Sequence, residues 1–158
     1  MILNTLTYMK SISKNKQRVF LDTNIIIDVL STSYREHRDA SRCIFQAIRN
    51  GEMEGYITTQ SIVDSQYVLS KEKSFPMQKF SQVMLYIMSF MNITQIDGLS
   101  IREALKNPTG DFEDDAHFAQ ADAEGFDVIV TSDHRFLSKR NDSGSLFMTP
   151  EELIAKMS

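Results

Sequence analysis

Val19-Phe20-Leu21-Asp22-Thr23-Asn24 constrains this chain more than any other stretch. Three apolar residues run directly into an aspartate, a threonine and an asparagine. Such a short β-favouring run, with its polar chemistry at the carboxyl end, reads as a buried parallel strand. In open α/β sheets the ligand site lies beyond the carboxyl ends of the strands, so Asp22 is a candidate site residue from its position alone.

The remaining chain supplies the other layers. Strands are expected at about Arg18–Asp22, Gly55–Thr58, Ile93–Ile96, Val128–Thr131 and Leu146–Met148. Helices are expected from about Asn24, over Asp39–Asn50, from Thr59 to about Ser70, over Met77–Phe90 and over Ser100–Lys106. Two more are expected from the 111–115 acidic run to Glu124, where Gly125 stops the helix, and from Thr149-Pro150 onward. Strands alternating with helices, without an internal repeat, predict one α/β domain whose four- to five-stranded sheet is mainly parallel and flanked by helices. The length of 158 residues suits one domain, which at this size buries roughly 70% of its unfolded surface. Residues 17–158 are assigned to this domain and 1–16 to a basic N-terminal arm.

The net charge is −4, but it is uneven. Lys10, Lys14, Lys16 and Arg18 stand in the first 18 residues without an acid, leaving 13 basic against 21 acidic side chains in the remainder. A basic arm beside an acidic body suits phosphate contacts on one and cations on the other. One cysteine, Cys43, excludes an internal disulfide framework and a thiolate zinc site, in keeping with a cytoplasmic location. No run is long and apolar enough to span a membrane. The helix over 77–90 is apolar on more than one face, as in a central core helix or a partner surface, and four methionines between 77 and 91 suit adaptable contacts.

Four aspartates fall at equivalent places. Asp22 ends the first strand and Asp133 follows the fourth. Asp64 lies in the helix after the second strand, where its neighbours Tyr67 and Val68 predict an inward face. Asp114 opens its helix on the side of Phe118 and Ala121. Each has an ordinary use as a cap or first-turn charge. Together they predict an acidic pocket, where carboxylates repel unless a cation compensates them. Mg²⁺ or Mn²⁺ takes such oxygen ligands and bridges them to phosphate. Histidines 37, 117 and 134 are not spaced as a metal triad, and His117 and His134 are read as surface residues. The six glycines form neither a dinucleotide fingerprint nor a phosphate loop, and there is no nucleophile elbow. Asn24 and Ile26 break the Asp-x-Asp-x-Thr pattern of aspartyl-phosphate phosphotransferases.

At these residues the chain resembles the PIN-domain ribonucleases, above all the small toxins of bacterial toxin–antitoxin pairs. The resemblance rests on Asp22-Thr23-Asn24, on Asp64 after Thr58-Thr59-Gln60-Ser61-Ile62-Val63, on Asp111-Phe112-Glu113-Asp114 and on Thr131-Ser132-Asp133. It covers about residues 17 to 150. It implies an Mg²⁺- or Mn²⁺-dependent endoribonuclease that hydrolyses RNA with metal-activated water, with a small antitoxin partner and a homodimeric state. Asp22, Asp114 and Asp133 would hold metal directly or through water, and Asp64 would complete the catalytic pocket. Asn24, Thr131 and Asp115 would support those carboxylates. Two departures stand out: Asp64 replaces the usual glutamate, and Ser132 replaces a frequent arginine. A non-catalytic PIN-like module binding RNA or protein is the alternative.

Overall fold

The computed structural model describes residues 16–138 and 144–158; the proposed basic arm lies, apart from Lys16, outside the described residues. Strand β1 (Arg18–Leu21) leads into helix α1 (Thr23–Leu30), and α2 (Arg38–Arg49) returns to β2 (Glu54–Thr58). Next come α3 (Thr59–Leu69), α4 (Met77–Met88), β3 (Asn92–Thr94), α5 (Gly98–Lys106) and α6 (Phe112–Glu124). The chain closes with β4 (Val128–Val130), the single turn α7 (His134–Leu137), β5 (Leu146–Met148) and α8 (Pro150–Met157).

The five strands lie in the order β3-β2-β1-β4-β5, and every pairing is parallel. Alternation along each strand divides the core between the two sheet faces. Val19, Leu21, Val128 and Val130 join Ile25, Ile26, Ile44 and Ile57 in one cluster. Their neighbours Phe20 and Ile129 join Phe126, Phe136 and Phe147 in the other. The larger cluster also takes residues of α2, α3, α4 and α8, and the smaller takes Ala121 of α6 and Phe136 of α7. The fold is therefore three-layered, as the alternation of strands and helices predicts.

Gly55 admits α2 against β2: a Cβ there would stand 2.5 Å from both Ile48 Cδ1 and Met91 Sδ. Gly125 ends α6 at φ +60°, the left-handed position that favours glycine. The terminal helix has the expected Thr149 cap, completed by Glu152 as a capping box. The methionine-rich helix differs from the sequence expectation. Only Phe80, Met84 and Ile87 of α4 are buried, while Met77, Leu85, Tyr86 and Met88 face outward. Its apolar character therefore exceeds what one buried stripe uses. Among the described residues, no helix is long and apolar enough to cross a membrane.

After β1 the chain builds outward through β2 and β3, then crosses to the other side of β1 for β4 and β5. That reversal leaves a crevice at the carboxyl ends of β1 and β4, where doubly wound sheets bind ligands. Asp22 stands at one lip and Thr131 at the other.

Candidate active site

Asp22 is held by both strands. Its backbone N–H donates to the Val130 carbonyl at 3.0 Å, closing β1 onto β4. One carboxylate oxygen, Oδ1, accepts from the Thr23 N–H at 2.7 Å, and Oδ2 accepts from the Thr131 hydroxyl at 2.8 Å. The same hydroxyl accepts from the Asp133 N–H at 3.0 Å. Thr131 thus joins the two strand-end acids through one atom. Asp22 is only 4% exposed. Burial pushes its carboxyl up to about 6, against the pull of the Thr131 and Thr23 hydrogen bonds and with a smaller push from Asp133 and Asp28.

Asp133 caps α7, accepting from the Arg135 N–H at 2.8 Å. The Arg135 side chain then folds back over the acids. Its Nη2 donates to Asp133 Oδ2 and to Asp114 Oδ2, each at 2.8 Å, and Nη1 reaches Asp111 Oδ2 at 3.3 Å. The hydrogen bonds and charge of Arg135 hold the Asp133 carboxyl below its ordinary range. Asp114 behaves oppositely: burial and the charges of Asp22, Asp111 and Asp133 push it up to about 7 despite Arg135. Asp111 is the cap of α6.

Asp64 projects from α3 on the other side of this group. Its Oδ1 accepts from Gln60 Nε2 at 2.8 Å, while Oδ2 is buried and meets no permanent donor among the described residues. Glu113, opposite on α6, lies against the Asp64 carboxylate. Burial, that carboxyl–carboxyl contact and the charges of Asp64, Asp111 and Asp22 push Glu113 up to about 7.

Beneath the acids runs a buried hydroxyl chain. Thr23 donates to Ser61 at 3.0 Å, Ser61 contacts Thr58 at 2.9 Å, and Thr58 contacts His117 Nε2 at 3.1 Å. His117 is not a surface residue. It is 1% exposed, its Nδ1 has no hydrogen-bond partner among the described residues, and burial lowers its basicity. His134, by contrast, is exposed.

The PIN-domain family model matches residues 18–135, the span that carries every group above. The chain belongs to the PIN-domain family. Solved structures share the fold. A Pyrobaculum aerophilum protein, PAE2754, is 19% identical with a TM-score of 0.61, covering 89% of this chain and 95% of its own. The Mycobacterium tuberculosis toxin VapC20, which cleaves the sarcin-ricin loop, is 10% identical with a TM-score of 0.60, covering 76% and 93%. A toxin–antitoxin complex from Klebsiella pneumoniae contains a chain 17% identical with a TM-score of 0.59, covering 84% and 97%. No curated protein sequence matches the chain.

Not every candidate residue joins the acids of this PIN domain. Asp115 turns away and is buried, accepting from the Thr109 N–H at 2.7 Å and from its hydroxyl at 2.5 Å, so it fastens the loop before α6. Asn24 is half-buried in the first turn of α1, and none of the site's hydrogen bonds among the described residues involves its side chain. Three participants escaped the sequence reading: Glu113, Asp111 and Arg135. The two acids lie inside the acidic run already singled out. Arg135 lies two residues past Asp133, and only the turn of α7 reveals its reach.

The donor chemistry suits a hard divalent cation. Asp22, Asp114 and Asp133 offer oxygens only, two of them destabilised as anions, and Asp64 adds a buried oxygen that meets no donor among the described residues. Among the described residues, however, no three His, Cys, Asp or Glu side chains converge as a ready cation cage. Arg135 places a positive charge among these acids.

Proposed function

We propose that this PIN domain is a metal-dependent endoribonuclease, the toxin of a toxin–antitoxin pair. The observation carrying this reading is the pairing of Asp22 and Asp133 through the Thr131 hydroxyl at the β1–β4 crevice, with Asp114 opposite. The similar folds of VapC20 and the Klebsiella complex support the toxin assignment. Asp22, Asp114 and Asp133 are the residues that would hold Mg²⁺ or Mn²⁺, with Asp64 completing the pocket. When bound, such an ion polarises a phosphoryl oxygen and activates water for in-line attack.

The protein's own groups do the rest. Thr131 fixes the Asp22 carboxylate by donating to Oδ2. Glu113, whose carboxyl is raised to about 7 beside Asp64, would accept the proton released by the attacking water. Arg135 has a planar fork of donors suited to a phosphate as well as to carboxylates. It supplies from α7 the contact that Ser132 lacks. Its partners in this reading are an RNA substrate and a small antitoxin, with a second copy forming a homodimer.

The test is cleavage of a mixed pool of structured and single-stranded RNA with Mg²⁺ or Mn²⁺, for wild type and Asp22→Asn in parallel. Cleavage lost on chelation and in the variant is expected. Equal cleavage by both proteins would remove Asp22 from the site. The ion pairs of Arg135 with Asp111, Asp114 and Asp133, which engage the same acids, favour the second reading: a non-catalytic module that binds RNA or protein. No cleavage by folded wild type with either metal supports that reading.

A further inference from the structure

Beside the acids lies a hollow of about 370 Å³. Gln60 of α3, Ile96 after β3, Ile101 of α5 and Phe112 and Glu113 of α6 form much of its wall. Phe112 is 50% exposed and belongs to neither core cluster. Its ring is therefore not explained by packing. The hollow also shares a wall with the acid cluster, because Gln60 hydrogen-bonds Asp64 Oδ1 and Glu113 stands next to Asp114 in the first turn of α6.

These walls select a kind of occupant. Ile96, Ile101 and Phe112 are uncharged, and the one ionisable side chain among those named is an acid. A phosphate is excluded there, while a flat neutral ring is favoured. Gln60 gives Asp64 one N–H and keeps a second N–H and a carbonyl oxygen able to read the edge of such a ring. A ligand that is flat and neutral at one end and anionic at the other spans both places, and a nucleotide within a strand is such a ligand.

We propose that this hollow is a nucleobase subsite, in which an unpaired RNA base stacks on Phe112 and meets Gln60 while its neighbouring phosphate lies at the Asp64 end of the acids. The subsite rests on the ribonuclease reading and deepens it. A base inside a duplex cannot enter, so the substrate is single-stranded at this position; single-stranded RNA is commonly held by such aromatic stacking.

The chain contains no tryptophan, so Phe112→Trp places a single fluorescent reporter in the hollow. The full-length protein is titrated in chelator with a single-stranded RNA oligonucleotide, and separately with a duplex of the same sequence. The single strand is expected to quench the tryptophan and the duplex is not. Phe112→Ala and Phe112→Leu should each weaken single-strand binding on the order of tenfold, the scale of one base–aromatic stack, while Phe112→Tyr retains it. Circular dichroism should be unchanged in all, because the ring lies outside the core. Equal quenching by duplex, or unchanged binding by the alanine and leucine variants, overturns the subsite. The cleavage assay separates the two ideas. Cleavage with a KM indifferent to Phe112→Ala defeats the subsite alone. Strand-specific quenching without cleavage supports the subsite and defeats the nuclease.

Discussion

The two halves of the acid cluster are built by different means. Asp22 and Asp133 stand at the ends of neighbouring parallel strands, and one threonine hydroxyl links them. Their positions follow from the sheet register, which pairs Leu21 with Val130. Asp64 and Glu113 project from two helices and meet only through their side chains. The first half is fixed by backbone; the second rests on side-chain contact alone. A site so divided has one part positioned by the sheet and another positioned only by side chains, one of which, Glu113, is raised to about 7.

The strongest way to break this comparison is at Asp22. Asp22→Asn should lower metal-dependent RNA cleavage by at least about 100-fold, beyond the usual cost of losing a group that merely orients a ligand. It should not unfold the chain. The folded-state pKa of Asp22 is raised from 3.8 to about 6, so the folded protein binds this proton more tightly than the unfolded chain. Its contribution to stability is present at low pH and is lost as pH rises from about 4 to about 6. Measured in chelator, the melting temperature of Asp22→Asn relative to wild type should therefore be higher at pH 8 than at pH 4.5. A relative loss on going to pH 8 would contradict the burial cost.

Thr131→Val tests the link itself. It removes the donor to Asp22 and the acceptor of the Asp133 N–H together. Cleavage should fall about 10- to 100-fold, and urea denaturation should show a loss of about 1–3 kcal/mol from the buried groups left unpaired. If Thr131→Val matched wild type in both, the strand-end half would not depend on that hydroxyl.

The helix half should respond less, and mainly through pH. Glu113→Gln keeps a hydrogen-bond donor facing Asp64 while removing the titration near 7. Cleavage at neutral pH should fall roughly tenfold, the low end for an orienting group. The pH–rate profile should lose one ionisation near neutrality. An unchanged profile would assign that ionisation to Asp114 alone, whose carboxyl is also raised to about 7.

The smallest effect is expected at Arg135. Its ion pairs with Asp111, Asp114 and Asp133 are partly exposed, and such pairs are worth about 0.2–1 kcal/mol. Arg135→Gln should tighten Mn²⁺ binding, followed by calorimetry, by no more than about fivefold. Weaker binding would mean that Arg135 organises the acids for the cation rather than competing with it.

The sequence revealed the strand half more fully than the helix half, for physical reasons. An apolar run ending in an acid has one reading in a parallel sheet, so Asp22 and Asp133 are legible from position. The face of α3 is not. Tyr67 and Val68 suggested the inward stripe, yet Tyr67 is 63% exposed, and the buried residues of the helix are Ser61, Ser65 and Leu69. Serines can line that stripe because their hydroxyls are satisfied locally: Ser65 donates to the Ser61 carbonyl at 2.6 Å, and Ser61 contacts Thr58. A pattern read from apolar residues alone misses such a face. His117 was misread likewise, since its burial depends on Thr58, a residue 59 positions away. Arg135 sits in a four-residue helix, too short for any periodicity to show where its side chain goes.

The fork of Arg135 joins α6 to the turn after β4 with bonds made entirely by the protein. Unlike a small zinc domain, which unfolds when stripped of its ion, a sample dialysed against chelator should stay folded and give back its full activity when Mg²⁺ or Mn²⁺ is restored. Under the proposed metal-dependent activity, the protein would be purified and stored silent, then started at a chosen moment by adding a salt.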